Sequence, residues 1–195
     1  MSKDFNLKGH LLVAMPGMED NRFSRTVIFI CNHDDEGAMG FIMNHKTESP
    51  TFNDILDELK VDRTTSAESE FDAPLPDIDV FSGGPVEQGR GFVIHSFDFN
   101  TKASVRVGDL ACVTATLDAL KALAGSQRPR DSIMLLGYSG WGKGQLEQEI
   151  AQNGWLTLPA SRELLFETHH TMIYEAALSA MGITEASLSS NAGHA

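Results

Sequence analysis

A single α+β domain is what this sequence predicts, and three observations predict it. Short runs of β-branched and aromatic residues recur along the chain, the clearest being Arg-Thr-Val-Ile-Phe-Ile-Cys at 25–31. Segments with apolar residues at helical spacing lie among them, without a strict strand–helix–strand alternation. The length of 195 residues, with 42% hydrophobic and 22% charged residues, fits one sizeable core of ordinary composition.

Taken in order, 9–14 (Gly-His-Leu-Leu-Val-Ala) reads as a first strand, closed by Met15-Pro16-Gly17-Met18. A polar connection at 20–24 leads into the run at 25–31, whose continuous apolar character marks a strand buried on both faces. The polar stretch 32–37 reads as a turn and 38–44 as the partner strand of a hairpin. Ser49-Pro50-Thr51 opens a helix, because Pro suits a first turn and Thr51 with Asp54 forms a capping box. Phe52, Ile55, Leu56 and Leu59 then give it one apolar face. From Val61 to Asp79 the chain is acidic and poor in large apolar residues, which predicts a solvated, mobile loop.

Order resumes at Val80-Phe81, followed by the turn Ser82-Gly83-Gly84-Pro85 and a strand at 92–95, which Phe97 and Phe99 extend by alternation. Two more short strands are expected at 103–107 and 110–114, then a helix at 116–124 with Gly125 past its C-terminus. A basic turn occupies 126–131. A strand follows at 133–138, then a glycine-rich turn with Gly137, Gly140, Gly142 and Gly144, then a helix at 145–153. That stretch, 136–155, holds both tryptophans of the chain. A strand at 155–158, a Ser161-capped helix to Phe166, a helix at 172–181 ended by Gly182, and a frayed tail from Thr184 complete the chain.

Composition excludes several functions. A net charge of −12 opposes a nucleic-acid backbone, so direct nucleic-acid binding is not expected. No run of about 18 apolar residues would span a membrane. The N-terminus lacks the apolar core of a signal peptide, so a cytoplasmic protein is expected, with Cys31 and Cys112 as buried free thiols.

The catalytic motifs fail on spacing. Gly137-Tyr138-Ser139-Gly140-Trp141 places its second glycine one residue early for a nucleophile elbow. Gly142-Lys143-Gly144-Gln145 lacks the hydroxyl that a phosphate loop needs after its lysine, leaving only weak anion binding near Gly144. His33-Asp34-Asp35-Glu36 reads as a solvated hairpin turn rather than a metal site, and His169-His170 as an exposed helix connection. His10 and His95, in apolar strands, read as hydrogen-bonded core residues. No cofactor or metal is implied.

Taken together, several segments resemble the YqgE/AlgH family of bacterial proteins. They are Leu12-Val13-Ala14-Met15-Pro16, the hairpin Val27–Ile30 with Gly37–Asn44, Gly83-Gly84-Pro85-Val86, and Gly137 through Glu147. The resemblance covers nearly the whole chain. It implies one compact domain with a bifurcated, partly barrel-like mixed sheet surrounded by helices, and a cytoplasmic protein without an established enzyme activity. Members often carry the label of transcriptional regulator, but no DNA-binding element stands in this sequence. The family supplies no agreed catalytic residues.

The expected function is therefore a non-enzymatic regulatory or adaptor protein that binds a protein or a small ligand. Its expected groove is lined by the two glycine-aromatic loops: Gly83, Gly84, Arg90, Tyr138, Trp141 and Gly144. The alternative is an enzyme with a site in the same groove, drawing on Glu147, Tyr138 or His95.

Overall fold

The computed structural model describes residues 6–18, 20–61, 78–125 and 128–188. Nine strands form one sheet: β1 His10–Ala14, β2 Val27–Asp34, β3 Gly37–Ile42, β4 Val80–Ser82, β5 Val86–His95, β6 Val105–Val107, β7 Ala111–Thr114, β8 Ser132–Gly142 and β9 Trp155–Pro159. Four α-helices accompany them: α1 Phe52–Glu58, α2 Leu117–Ala124, α3 Gln145–Ala151 and α4 Ile173–Ala180. The spatial order is β6-β7-β5-β8-β3-β2-β1-β9, with β4 added to β8 off that path. All named pairings are antiparallel except β4–β8.

The sheet divides along β8. One edge of its first half pairs with β4 (Val80↔Met134 to Ser82↔Leu136), whereas its second half pairs with β3 (Gly40↔Ser139 to Gly37↔Gly142). The sheet curls into a half-barrel, so alternate side chains face two different cores. The concave face carries Val13, Phe29, Phe41, Ile94 and Leu135, and the C-terminal segment packs Leu164, Leu165, Ile173, Tyr174 and Leu178 against it. Tyr174 is tied there by its hydroxyl, which donates to the carbonyl of Ala14 at 2.8 Å. The convex face is covered in two places. Helices α1 and α2 bury Phe52, Leu56, Leu120 and Leu123 against Val80, Val93 and Met134. Helix α3 buries Leu146 among Leu12, Ile28, Ile30 and the two indoles.

Local chemistry explains most boundaries. Thr51 accepts from the backbone of Asp54, and Asp54 accepts from the backbone of Thr51, which is the expected capping box. Ser161 Oγ accepts from the Leu164 N–H as expected, but the turn that follows, Glu163–Glu167, is wound as a π-helix. Gly125 follows α2, with an extended rather than left-handed backbone.

Several expectations are corrected. Strand β2 runs on to Asp34, so the hairpin turn is only Asp35-Glu36. Phe97 and Phe99 lie beyond the end of β5 and do not extend it. The predicted mobile loop falls mostly on 62–77, outside the described residues; at its ends Val61 and Ile78 are buried in the second core rather than solvated. Of the predicted frayed tail, Glu185–Leu188 forms a 3-10 turn whose Glu185 pairs with Arg25, and the remainder lies outside the described residues. No helix among the described residues is long and apolar enough to cross a membrane.

Candidate functional site

The two glycine-aromatic segments do meet, but as a closed backbone junction rather than as the walls of a groove. Gly137, Gly140 and Gly142 lie within β8, not in a turn. Gly83 follows the end of β4 at the point where the sheet divides; its N–H donates to Leu136 O, and its carbonyl accepts from Ile42 N, both at 2.8 Å. A Cβ on Gly83 would stand 2.4 Å from Gly137 O, and one on Gly84 would stand 2.3 Å from the carbonyl carbon of Tyr138. Backbone therefore lies on backbone, and glycine is what permits it. Ser139, 1% exposed, sits in the same junction and directs its hydroxyl to Gly83 O at 3.4 Å.

Gly137 also determines where the flanking aromatics go. Its φ of +71° breaks the strand's alternation. On the opposite strand the register shifts between Val86 and Gly91, a bulge that contains Glu87 and Arg90. Leu135 and Tyr138 consequently both face the concave side, and Trp141 faces the convex side. The expected single groove holding Tyr138 with Trp141 is thus split by the sheet itself. Gly144 lies elsewhere again, exposed at the turn into α3 with a φ of +73°.

Trp141 belongs to a cluster the sequence did not announce. Its indole N–H and that of Trp155 both donate to Glu149 Oε2, at 2.9 and 2.8 Å, while Gln145 donates to Glu149 Oε1. The two indoles meet edge to face at 6.2 Å. Beside them stands His33, which is buried at 4% exposure and not part of a solvated turn. Its Nδ1 accepts from the Leu7 N–H at 2.9 Å, so Nε2 carries the proton and donates to Glu147 Oε1 at 3.0 Å. The Glu147 carboxyl is held below its ordinary value, first by a hydrogen bond from its own backbone N–H and then by His33, with burial opposing both. A carboxylate depressed in the folded state contributes stability above its unfolded value of 4.5 that is lost as the pH falls through the folded value. Glu147→Gln is therefore expected to lower the melting temperature at pH 7 and to have little effect at pH 3. Equal losses at both pH values would contradict this.

His95 is fully buried and bonded to Ser96 O and Thr114 Oγ1, both at 2.9 Å. His10 Nδ1 is buried without a hydrogen-bond partner among the described residues, contrary to the expected bonded core histidine. His169 is exposed as expected, while His170 packs edge to face on Phe81. Cys31 and Cys112 are free and buried, and burial pushes the Cys31 thiol up to about 12. Glu147, Tyr138 and His95 do not converge on one site. No group of three or more potential metal ligands occurs among the described residues.

Two of the expected site residues do share a cavity. It occupies about 500 Å³ and is lined by Cys31, Met39, Phe92, Val105 and Val113, together with Arg90 and Tyr138, with no described residue of the C-terminal segment in its lining. Tyr138 packs edge to face on Phe92 at 5.9 Å, and the Arg90 guanidinium lies 5.1 Å from the Phe92 ring centre. The concave face is thus packed by the chain's own C-terminal segment in one region and carries a cavity in another. A second, more polar cavity of about 370 Å³ lies between Phe97 and Phe166, but its arginines are already paired: Arg130 with Asp131, and Arg162 with Asp131 and Glu167.

A family model described as AlgH-like matches residues 11–186, which takes in the junction, the indole cluster and the open cavity. The chain belongs to the AlgH-like family. A UPF0301 protein of Rhizobium etli is 50% identical to this AlgH-like chain over 191 residues, covering 96% of the chain and 92% of the relative. A second, from Rhizobium meliloti, is 48% identical over 195 residues, covering 97% and 93%. Among solved structures, the solution structure of the AlgH protein from Pseudomonas aeruginosa superposes with a TM-score of 0.76 at 34% identity, over 100% of this chain and 99% of that one. A crystal structure of a protein from Corynebacterium diphtheriae shares the fold, with a TM-score of 0.67 at 19% identity over 92% and 90%. The curled half-barrel with helices on both faces is therefore the AlgH-like fold.

Proposed function

We propose that this AlgH-like protein is a non-enzymatic binding protein of regulatory or adaptor type, and that it takes a small ligand into the cavity lined by Arg90 and Tyr138. The observation that carries this reading is that the concave face, packed elsewhere by Leu164, Leu165, Ile173, Tyr174 and Leu178, keeps a cavity of about 500 Å³ that no described residue of this C-terminal segment lines. Apolar cavities of this size with a few polar groups at the rim are where small molecules bind. The glycine motifs support the reading indirectly. They hold β8 in the register that turns Tyr138 inward.

A metabolite library screened by thermal shift tests the proposal, because a ligand that binds only the folded state must raise its melting temperature. Hits are expected to shift the NMR methyl signals of Met39 and Val113 while leaving the emission of Trp141 and Trp155, on the convex side, unmoved. Hits that move the tryptophans and not the methyls would overturn the proposal, as would a library without hits.

A further inference from the structure

The open cavity also carries a statement about which ligands it takes. This rests on the proposed binding role. Its floor and walls are mostly carbon: Met39, Phe92, Val105, Val113 and Ala115. Asn32, Thr116 and Tyr138 add neutral polar groups. Of the described residues that line it, Arg90 alone is charged. In a chain with a net charge of −12, a cavity with a cation and no carboxylate among the described residues of its lining is notable.

Arg90 is held for such a role. It stands in the β5 bulge at the lip of the cavity, stacked over Phe92. Its one hydrogen bond to the described residues runs from Nη1 to Glu87 Oε2 at 3.0 Å, so the rest of the five-donor fork is open. The Glu87 pair is exposed, with side chains 54% and 48% accessible, and a solvated pair of this kind is readily exchanged for another carboxylate. Deeper in, Tyr138 is half-buried, and its hydroxyl makes no hydrogen bond to the described residues. A single planar cation above an apolar chamber matches a single anionic head on an apolar body. A nucleotide or a sugar phosphate would bring more charge and more hydroxyls than this lining can satisfy.

We propose that the cavity is a site for an amphipathic monocarboxylate, its apolar body among Met39, Val113 and Phe92 and its carboxylate on the free edge of the Arg90 guanidinium, with the Tyr138 hydroxyl as a second donor. The site binds the acid in its ionised form, and no bond is made or broken.

A matched trio tests the assignment: octanoate, 1-octanol and octylammonium, titrated by calorimetry at low salt against the full-length protein. Octanoate is expected to bind about tenfold more tightly than octanol, the worth of a charge-assisted fork contact at a partly exposed site, and octylammonium more weakly than either. Arg90→Gln is expected to reduce octanoate binding to the level of octanol and to leave octanol unchanged. Ala115→Trp, or Val105→Trp should the first fail to melt cooperatively, is expected to abolish binding of all three by filling the chamber. Octanol binding as tightly as octanoate, or Arg90→Gln weakening both equally, would overturn the head-group assignment while leaving the cavity as a binding site. Binding that survives a filled, cooperatively folded cavity would overturn both. If none of the three binds, the ligand class falls, and the library screen decides separately whether the cavity binds anything.

Discussion

Gly84→Ala is expected to lower the stability of this protein by on the order of 4 kcal/mol, a large share of the roughly 5–15 kcal/mol that holds a domain folded. Two separate causes add. The residue has a φ of +151°, which an alanine adopts only under strain of order 1–3 kcal/mol. The new methyl would also stand 2.3 Å from Tyr138 C and 2.4 Å from Ser139 N, atoms of a central strand that cannot swing aside. The junction would have to part, which costs the hydrogen bonds around Gly83 as well. For a chain of this length the melting temperature should fall by roughly 10 °C. Gly144→Ala is the informative control. Its φ of +73° is also positive, but nothing lies within 4 Å of the added Cβ, so only about 1 kcal/mol is expected. A Gly144→Ala loss equal to that of Gly84→Ala would show that backbone conformation alone, and not the close approach of two strands, sets the cost.

The second large effect belongs to Glu149. Glu149→Leu removes the acceptor of two indole N–H groups whose residues are only 7% and 4% exposed. A buried donor left unpaired costs about 1–3 kcal/mol. Glu149 itself is half-buried, so water can reach part of the gap, and a loss of about 3 kcal/mol in chemical denaturation is expected for the pair. Because Trp141 and Trp155 are the only tryptophans in the chain, the emission spectrum reports this site alone and should change in the folded variant. Glu149→Gln keeps a carbonyl acceptor and should lose less than half as much. A Glu149→Leu protein with unchanged stability and emission would mean that the indoles find another acceptor.

Much of the fold was legible because it rests on local signals. The runs at 27–31 and 38–42, the Thr51–Asp54 capping box and the periodicities of α1 and α2 depend on residues close in sequence, and all of them stand in the structure. Gly137, Gly140 and Gly142 read as part of a turn, where only Gly144 stands in one, because a glycine needed for close approach to another strand looks, in sequence, like one needed for a bend. The partner that requires it, Gly83-Gly84, lies more than fifty residues away. The same ambiguity spoiled the site. A period of two places Tyr138 and Trp141 on opposite faces, yet the sequence reading grouped them because both flank the glycines. The positive φ at Gly137 reverses which faces they take, so that Tyr138 joins the concave core. Arg90 and Tyr138 line one cavity, but Met39, Val105 and Val113, which share it, come from strands whose neighbourhood is set by long-range pairing that leaves no local signal in the sequence. His33 was hidden by its exposed neighbours Asn32 and Asp34; the alternation of a strand running through the polar residues was the signal that could have found it.

The position of β8 has a consequence for how the chain is made. The sheet path from β1, β2 and β3 to β5, β6 and β7 passes through this one strand, which ends at residue 142. While a ribosome is producing the first two-thirds of the protein, the nascent polypeptide can form two separate antiparallel ribbons, each with an unpaired edge where β8 will sit. Synthesis at about 5–20 residues per second leaves those edges open for seconds. Assembly must then proceed by insertion of a late strand between two waiting ones, followed by α3 and β9 closing over the indoles. Truncation before residue 142 should accordingly yield aggregation-prone fragments, and not a smaller stable half.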